Sequence, residues 1–288
     1  MRTPKHKNNL NEKAMLVNLS FSFWTGKTKD SKVTAEVIVT KKSARDAGAW
    51  LTNLVSKSDL GSVESARSKV RETHYKYSLP WMDGGLRILP SAMFMKYRKE
   101  MSKAIAEHNK ALAAFLREYP AIVKRAKKRL GNLLEGKRLP DTSEVKRKFA
   151  IRQDILPIPS MGDFRCELSS DEADEIRKKV AVSIESMTER AVANIWEQFT
   201  TLIEKIEKTL KEPKKVFRDT LISNLSDFCE LIPKMNLTND YKLETLRKEA
   251  IAKLAELKPI DLRESKADRK KAHKSAKEIL TKMKGYGA

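Results

Sequence analysis

The sequence of 288 residues has little of several things that whole classes of protein require. Its two cysteines, Cys166 and Cys229, cannot form a disulfide framework and suit a reducing compartment. Ten glycines and ten prolines are too few for a turn-rich β-sandwich or a glycine-looped nucleotide enzyme. No segment reaches the roughly 18 consecutive apolar residues of a membrane span. We therefore expect a cytoplasmic protein with no membrane partner.

Motifs for catalysis and for cofactors are also scarce. Gly26-Lys27-Thr28 resembles the end of a phosphate-binding loop, but Phe21 stands where that loop needs a glycine, which favours a hairpin turn. Asp141 and Glu144 suggest the carboxylates of a metal nuclease, yet their closeness at a predicted helix start favours capping. The histidines lack ligand-spaced partners and are predicted to lie on the surface; they are His6, His74, His108 and His273. We expect a protein that is not an enzyme and needs no cofactor.

Positive charge is the property that the sequence has in excess. Lysine and arginine number 59 against 38 acidic residues, a net charge of +21. Residues 95–150 carry +10, residues 258–288 carry +6 and residues 1–9 carry +3, while residues 151–257 are mildly acidic. Charge that is gathered on a few segments indicates particular basic surfaces, and hence a polyanionic partner, more than a general need for solubility.

Two predicted helices carry most of this charge. Lys124 and Lys128 lie four apart on one helical face, as do Arg125 and Arg129. Such arrays bind phosphates and release counterions without reading bases. The predicted nucleic-acid contacts, with DNA favoured over RNA, are Lys124, Arg125, Lys127, Lys128, Arg129, Lys137, Arg138, Arg269, Lys270, Lys271 and Lys274. Two other interpretations stay open: a solvated helix face, and docking onto the acidic 151–257 region of a neighbouring subunit.

Aromatic residues offer little for base recognition. Tyr97 and Tyr119 flank the basic helical region and are the only plausible platforms for stacked bases. The tryptophans all lie in apolar patterns and are predicted to be buried; they are Trp24, Trp50, Trp81 and Trp196.

Periodicity predicts a mainly α fold with a small β contribution. Residues 14–24 and 33–41 alternate in polarity around a turn-like stretch, which predicts an N-terminal antiparallel β-hairpin. A helix is expected over residues 91–119, because Pro120 disfavours a helical residue before it. Residues 77–90 are predicted to form an ordered loop with a tight turn at Asp83-Gly84-Gly85, anchored by Trp81; a binding cleft there is the alternative.

A proline-containing stretch divides the chain most clearly. We predict an N-terminal arm and hairpin over residues 1–42, a basic helical region over 43–153, a linker or short strand over 154–168, and a long helix with further helices over 169–288. After the capping pair Ser169 and Glu172, apolar residues recur up to Leu210 without proline or glycine, which predicts one helix of roughly 40 residues. Such a helix must be covered by other helices or by a second copy of the chain. We expect a homo-oligomer.

Several landmarks spread over most of the chain resemble a family of phage and integrative-element proteins known only as a domain of unknown function. The landmarks are Phe23-Trp24-x-Gly26, Pro80-Trp81-x-Asp83-x-Gly85-x-Arg87-x-Leu89-Pro90, Phe149 ahead of Pro157-x-Pro159, Asp163-Phe164-Arg165, Phe217-Arg218-Asp219 with Asn224, and Cys229-x-Leu231-Ile232-Pro233-x-x-Asn236-Leu237-Thr238-x-Asp240. The resemblance implies a mobile-element setting, often near genes for recombination or for a MoxR-type AAA+ ATPase. It implies no activity and no catalytic residue.

Three hypotheses follow from the sequence. The first is a non-enzymatic, oligomeric protein of a phage or mobile element that binds nucleic acid through its basic helices. The second is an adaptor of a MoxR-type AAA+ ATPase that acts through its long helix. The third is a metal-dependent nuclease that uses Asp141 and Glu144.

Overall fold

The computed structural model describes residues 10–159, 170–212 and 215–286. Helices dominate and strands are few and short, so the predicted mainly α fold with a minor sheet is confirmed. The chain forms two compact units, each built from segments that are distant in the sequence. The first unit comprises residues 1–18, 77–95 and 155–288, and the second comprises residues 19–76 and 96–154.

The helices and strands follow the chain in a mixed order that ends in five consecutive helices. They are α1 (Leu10–Lys13), β1 (Ala14–Ser22), β2 (Lys27–Lys29), α2 (Ser31–Lys41), β3 (Leu51–Asn53), α3 (Lys57–Tyr77), β4 (Leu79–Pro80), β5 (Arg87–Pro90), α4 (Phe94–Leu130), α5 (Thr142–Arg147), β6 (Ala150–Leu156), α6 (Ser170–Lys211), α7 (Thr220–Met235), α8 (Tyr241–Ala250), α9 (Pro259–Glu264) and α10 (Lys266–Tyr286).

The strands form two small sheets. One has the order β4–β5–β1–β6, and the other pairs β2 with β3. β1 runs antiparallel to β5, with Ala14 opposite Pro90. β4 and β5 form a hairpin whose turn contains Gly84 and Gly85 at φ values of +89° and +96°, which favour glycine. Trp81 next to this turn is 2% exposed, so the predicted tight turn and buried anchor are confirmed.

The predicted hairpin between residues 14–24 and 33–41 is wrong, because the second segment belongs to the helix α2. The Asp30 carboxylate accepts the Val33 N–H at 3.1 Å, a cap that fixes the start of this helix. Val37 and Val39, which suggested a strand with one buried face, are both exposed. Of the two predicted strands only the first is present, as β1, and it pairs with β5; the stretch predicted as the turn contains β2, which pairs with β3.

The second unit surrounds an apolar core that joins α3, α4 and α5. Leu60 and Val63 of α3, Phe115 of α4 and Val145 of α5 belong to one buried cluster. The predicted end of a helix at Tyr119 is wrong, since α4 continues through Pro120 to Leu130. Tyr119 and Ile122, on either side of the proline, are each 1% exposed, so packing holds the helix together across the missing N–H.

The first unit is organised around α6, which confirms the predicted long helix. The apolar residues on one face of its second half are fully buried, and the helix packs mainly against α10 and α7. The expected covering helices are present as α7, α8, α9 and α10, with a π-helical turn at Ile251–Ala255 after α8. The predicted cap at Ser169 and most of the predicted linker or strand lie outside the described residues.

Candidate nucleic-acid interface

The helix α4 has two opposite faces that follow from its sequence. One face is buried and recurs every three or four residues: Tyr97, Met101, Ala104, His108, Phe115, Tyr119, Ile122, Ala126 and Leu130. Since successive residues turn by about 100°, the side of the helix opposite this face carries five basic residues spaced seven apart, namely Lys96, Lys103, Lys110, Arg117 and Lys124. Seven residues make nearly two turns, so these five side chains follow one another along one side of the helix.

Two further cations lie on the same side of α4 and complete what we call the basic stripe. The basic stripe comprises Lys96, Lys99, Lys103, Lys110, Arg117, Lys124 and Lys128, all exposed. From Lys96 to Lys128 it is about 48 Å long at about 1.5 Å per residue. Alanines separate the cations at positions 106, 113, 114 and 121. Within the described part of the chain, no member of the basic stripe forms an ion pair.

The acidic residues of α4 are too few to neutralise the basic stripe. The helix contains eleven basic and three acidic residues. Glu107 is bonded to Lys69 of α3 at 2.8 Å, and this hydrogen bond holds the pKa of Glu107 below its ordinary value. Glu118 accepts a hydrogen bond from Arg125 at 3.1 Å. Two of the three carboxylates are therefore hydrogen-bonded to cations outside the basic stripe, although the charge of Lys103 in the stripe also lowers the pKa of Glu107.

The structure divides the five cations predicted at the end of α4 into two groups. Lys124 and Lys128 belong to the basic stripe, and Lys127 is exposed beside it. Arg125 is bonded to Asp59 at 3.0 Å, and this hydrogen bond raises the pKa of the Arg125 guanidinium. Arg129 donates to the Asn53 carbonyl at 2.6 Å. The two arginines tie α4 to neighbouring segments of the second unit, while the lysines stay available.

The two cations predicted after α4 have structural partners. Lys137 is half-buried, forms an ion pair with the buried carboxylate of Asp30, and donates to the Leu133 carbonyl at 2.7 Å. The hydrogen bond from Lys137 is the main reason why the pKa of Asp30 lies below its ordinary value. Arg138 is exposed and is bonded to Glu144 at 2.5 Å. Lys137 therefore fastens the loop after α4 to the cap of α2, and Arg138 supports α5.

The residues of the nuclease hypothesis form a capping box, as the capping interpretation predicted. The Asp141 carboxylate accepts the Glu144 N–H at 2.8 Å, and Glu144 accepts the Asp141 N–H at 2.7 Å. These backbone hydrogen bonds lower the pKa of both carboxyl groups. Among the described residues, no group of three or more His, Cys, Asp or Glu side chains is placed to hold a metal ion.

The predicted cations of α10 in the first unit differ sharply from one another. Lys270, Lys271 and Lys274 are exposed. Arg269, however, is 6% exposed, and its guanidinium donates to backbone carbonyls at the end of α6. Arg269 is therefore not accessible to a phosphate, and the prediction that it contacts nucleic acid is wrong. On the same side of α10 as Lys270 and Lys274, exposed cations continue at Lys266, Lys277 and Lys284.

Neither tyrosine proposed as a stacking platform is available to a base. Tyr97 is fully buried and bonded to His74 and Gln153, each at 2.8 Å. Tyr119 is also buried and donates to the Pro140 carbonyl at 2.9 Å. The prediction that these rings could stack on bases is therefore wrong, because both belong to the core side of α4.

Other predictions for single residues had mixed outcomes. Trp24 and Trp81 are buried, but Trp50 is 46% exposed, contrary to prediction, and Trp196 is half-buried with its indole N–H bonded to Asp240. The prediction of surface histidines is wrong for two of them, since His74 and His108 are buried; burial lowers the pKa of His108. His273 is half-buried beside Glu207, and His6 lies outside the described residues.

A shallow groove of about 660 Å³ lies in the first unit between the β4–β5 turn and the first half of α6. Trp81 and Met82 contribute apolar surface, and Lys178 and Lys179 contribute positive charge. Asp83 is fully exposed at its rim, 3.5 Å from Arg190. The turn that was predicted as structural thus also borders an open groove.

No protein-family model matches this chain, and neither does any curated protein or solved structure. Among the helices that the structure describes, none is both long enough and apolar enough to cross a membrane.

Proposed function

We propose that this protein binds the phosphate backbone of nucleic acid through the basic stripe of α4, without reading bases and without catalysing a reaction. The observation that carries the proposal is the stripe itself: seven exposed cations on the side of α4 opposite its buried face, without an ion pair among the described residues. A row of one charge sign creates the focused potential that attracts a polyanion, and DNA is favoured over RNA.

The arrangement of charges on α4 is more consistent with a binding surface than with a helix face that is merely solvated. Surfaces that only keep a protein soluble mix charges of both signs. On α4, by contrast, Glu107 and Glu118 are hydrogen-bonded to cations outside the stripe and Glu100 is the one other carboxylate of the helix, so positive charge prevails along the stripe. The exposed lysines of α10 form a second, shorter basic surface, which we include in the proposal as an additional phosphate-binding region.

The proposed setting is a phage or another mobile element, which rests on the sequence resemblance alone. The second proposal is an adaptor of a MoxR-type AAA+ ATPase, acting as an oligomer through α6. One feature favours contact with another protein: the first half of α6 leaves its apolar residues incompletely covered. Ile176, Val180, Ile184 and Met187 are half-buried, and Val182 is 67% exposed.

The salt dependence of DNA binding tests the first proposal. A variant with Lys103→Gln, Lys110→Gln and Arg117→Gln removes three charges from the middle of the stripe. A matched control with Lys29→Gln, Lys32→Gln and Lys41→Gln removes three exposed charges from β2 and α2 instead. Both variants are titrated with a fluorescent 20-bp duplex from 50 to 300 mM salt, and anisotropy reports the dissociation constant.

We expect the stripe variant to lose affinity and the control to behave like the wild type. Each lost phosphate contact should lower the slope of log K against log salt by about 0.9, so the slope of the stripe variant should fall by about 2.7. Equal affinities and equal slopes for the two variants would contradict the proposal. A loss of helicity in the stripe variant, measured by circular dichroism, would require the single substitutions to be tested one at a time.

A further inference from the structure

The length of the basic stripe exceeds one turn of a DNA double helix. The stripe is about 48 Å long, whereas B-form DNA completes a turn in about 34–36 Å. A straight row of cations laid along the outside of such a duplex therefore meets both phosphate backbones wherever the duplex is rotated about its axis. Binding of this kind needs neither a sequence nor a particular rotational register.

The direction of the stripe also limits how a partner can lie. Residues spaced seven apart drift around a straight α-helix by about 20° per repeat, so the stripe turns by about 80° between Lys96 and Lys124. This is less than a quarter of a turn, so the stripe runs nearly parallel to the axis of α4. A helix that lies in the major groove follows the groove for only part of a turn, because the groove winds away from a straight rod. Of these two arrangements of a duplex, only the one that runs alongside α4 can use the full row of cations.

The side chains of the stripe offer no aromatic ring to an unstacked base. The residues between the cations on this side of α4 include Ala106, Ala113, Ala114 and Ala121, and the tyrosines of the helix are buried on the other side. Proteins that bind single strands usually combine positive charge with aromatic rings on which the bases stack. A duplex keeps its bases stacked inside and presents a stiff polyanion, with a persistence length of about 50 nm, to a rigid row of charges.

We infer that the ligand of α4 is duplex DNA, which lies along the outside of the helix and contacts the basic stripe over about 14 base pairs, or 48 Å at 3.4 Å per pair. This inference rests on the proposed function and adds the form of the nucleic acid and the size of the site.

A series of duplex lengths tests the inference, in a background that leaves the basic stripe as the main binding surface. All proteins carry Lys270→Gln, Lys274→Gln and Lys277→Gln to weaken the surface on α10. Duplexes of 6, 8, 10, 14 and 20 base pairs and single strands of the same lengths are titrated by anisotropy at 100 mM salt. Affinities are corrected for the number of overlapping sites on each DNA.

A shortened stripe provides the critical comparison. The shortened stripe is made by the substitutions Lys96→Gln, Lys99→Gln and Lys103→Gln. Its remaining cations run from Lys110 to Lys128, a length of about 27 Å that corresponds to about 8 base pairs. With the stripe intact, affinity should rise at least tenfold between 8 and 14 base pairs and then level off. With the shortened stripe, it should level off near 8 base pairs. The control with Lys29→Gln, Lys32→Gln and Lys41→Gln should level off where the intact stripe does.

The outcomes separate the inference from the proposed function. Single strands that bind as tightly as duplexes of equal length would overturn the inference and leave nucleic-acid binding in place. So would a plateau at the same duplex length for the intact and the shortened stripe. Absence of binding to both kinds of DNA, with the stripe intact, would overturn the proposed function and the inference together.

Discussion

The substitution Arg269→Met offers a sharp test of the packing of the first unit. Arg269 projects from α10 towards the end of α6, where the last carbonyls of a helix have no partner within the helix itself. Its Nε donates to the Leu210 carbonyl at 3.3 Å, and its Nη2 lies 2.9 Å, 2.6 Å and 3.0 Å from the carbonyls of Thr209, Glu212 and Lys215. Methionine would keep much of the volume of the side chain but could donate to none of them.

The size of the effect follows from these contacts. Nε and Nη2 together carry three hydrogens, so three full hydrogen bonds are shared among the four carbonyls. At about 1.5–3 kcal/mol for each bond from a charged donor, less the several kcal/mol needed to desolvate a buried guanidinium, we expect Arg269→Met to lower the free energy of unfolding by about 3 kcal/mol. The neighbouring residue Lys270 is exposed, so Lys270→Met should change the free energy of unfolding by less than about 0.5 kcal/mol.

Urea unfolding followed by circular dichroism, with hydrogen exchange of the α6 and α10 amides, measures this difference in the first unit. Two outcomes would refute the reasoning. One is an equal free energy of unfolding for Arg269→Met and Lys270→Met. The other is an Arg269→Met protein of wild-type stability whose DNA binding has a reduced salt slope, because the guanidinium would then lie on the binding surface.

Two further predictions concern buried titratable groups. The pKa of Asp30 lies below its ordinary value, chiefly because of Lys137, so the ionised pair stabilises the second unit at neutral pH. This stability is lost as the pH falls below about 4 through the pKa of the folded state. Asp30→Asn should therefore flatten the pH dependence of thermal unfolding between pH 5 and 2, and an unchanged dependence would contradict this. Burial raises the pKa of the Cys229 thiol to about 12, so the peptide that contains it should be alkylated by iodoacetamide at pH 8 far more slowly in the native protein than in urea, and equal rates by mass spectrometry would be incompatible with a buried thiol.

Sequence patterns predicted the elements whose stability is local or strongly periodic. The long helix α6 could be predicted because apolar residues recur through it at helical spacing without a proline or glycine, and the capping box of Asp141 and Glu144 is visible as a four-residue motif. The basic stripe could also have been predicted, since the seven-residue repeat from Lys96 to Lys124 is legible in the sequence. The charge run at 124–129, by contrast, indicates only a high local density of positive charge and not this period.

Features that depend on distant contacts could not be predicted in this way. The alternation at residues 33–39 favours a strand, but the cap of α2 is held by Lys137 and by Thr52, which donates to Asp30 at 3.1 Å. Pro120 ends many helices, yet here core packing on both sides of it outweighs the lost hydrogen bond. The buried position of Arg269 depends on carbonyls more than fifty residues away, which no local pattern of charge reveals.

If the protein binds DNA as proposed, the composition of the basic stripe has a consequence for its movement along the duplex. Six of its seven cations are lysines, whose ammonium groups are compact point charges without the fixed fork geometry of a guanidinium. The interaction energy of such a row changes little when a duplex shifts past it by one base pair. A protein held in this way would diffuse along the duplex with low barriers and redistribute quickly among neighbouring positions. Any preference for one genomic location would then have to come from a part of the protein other than α4, or from a partner.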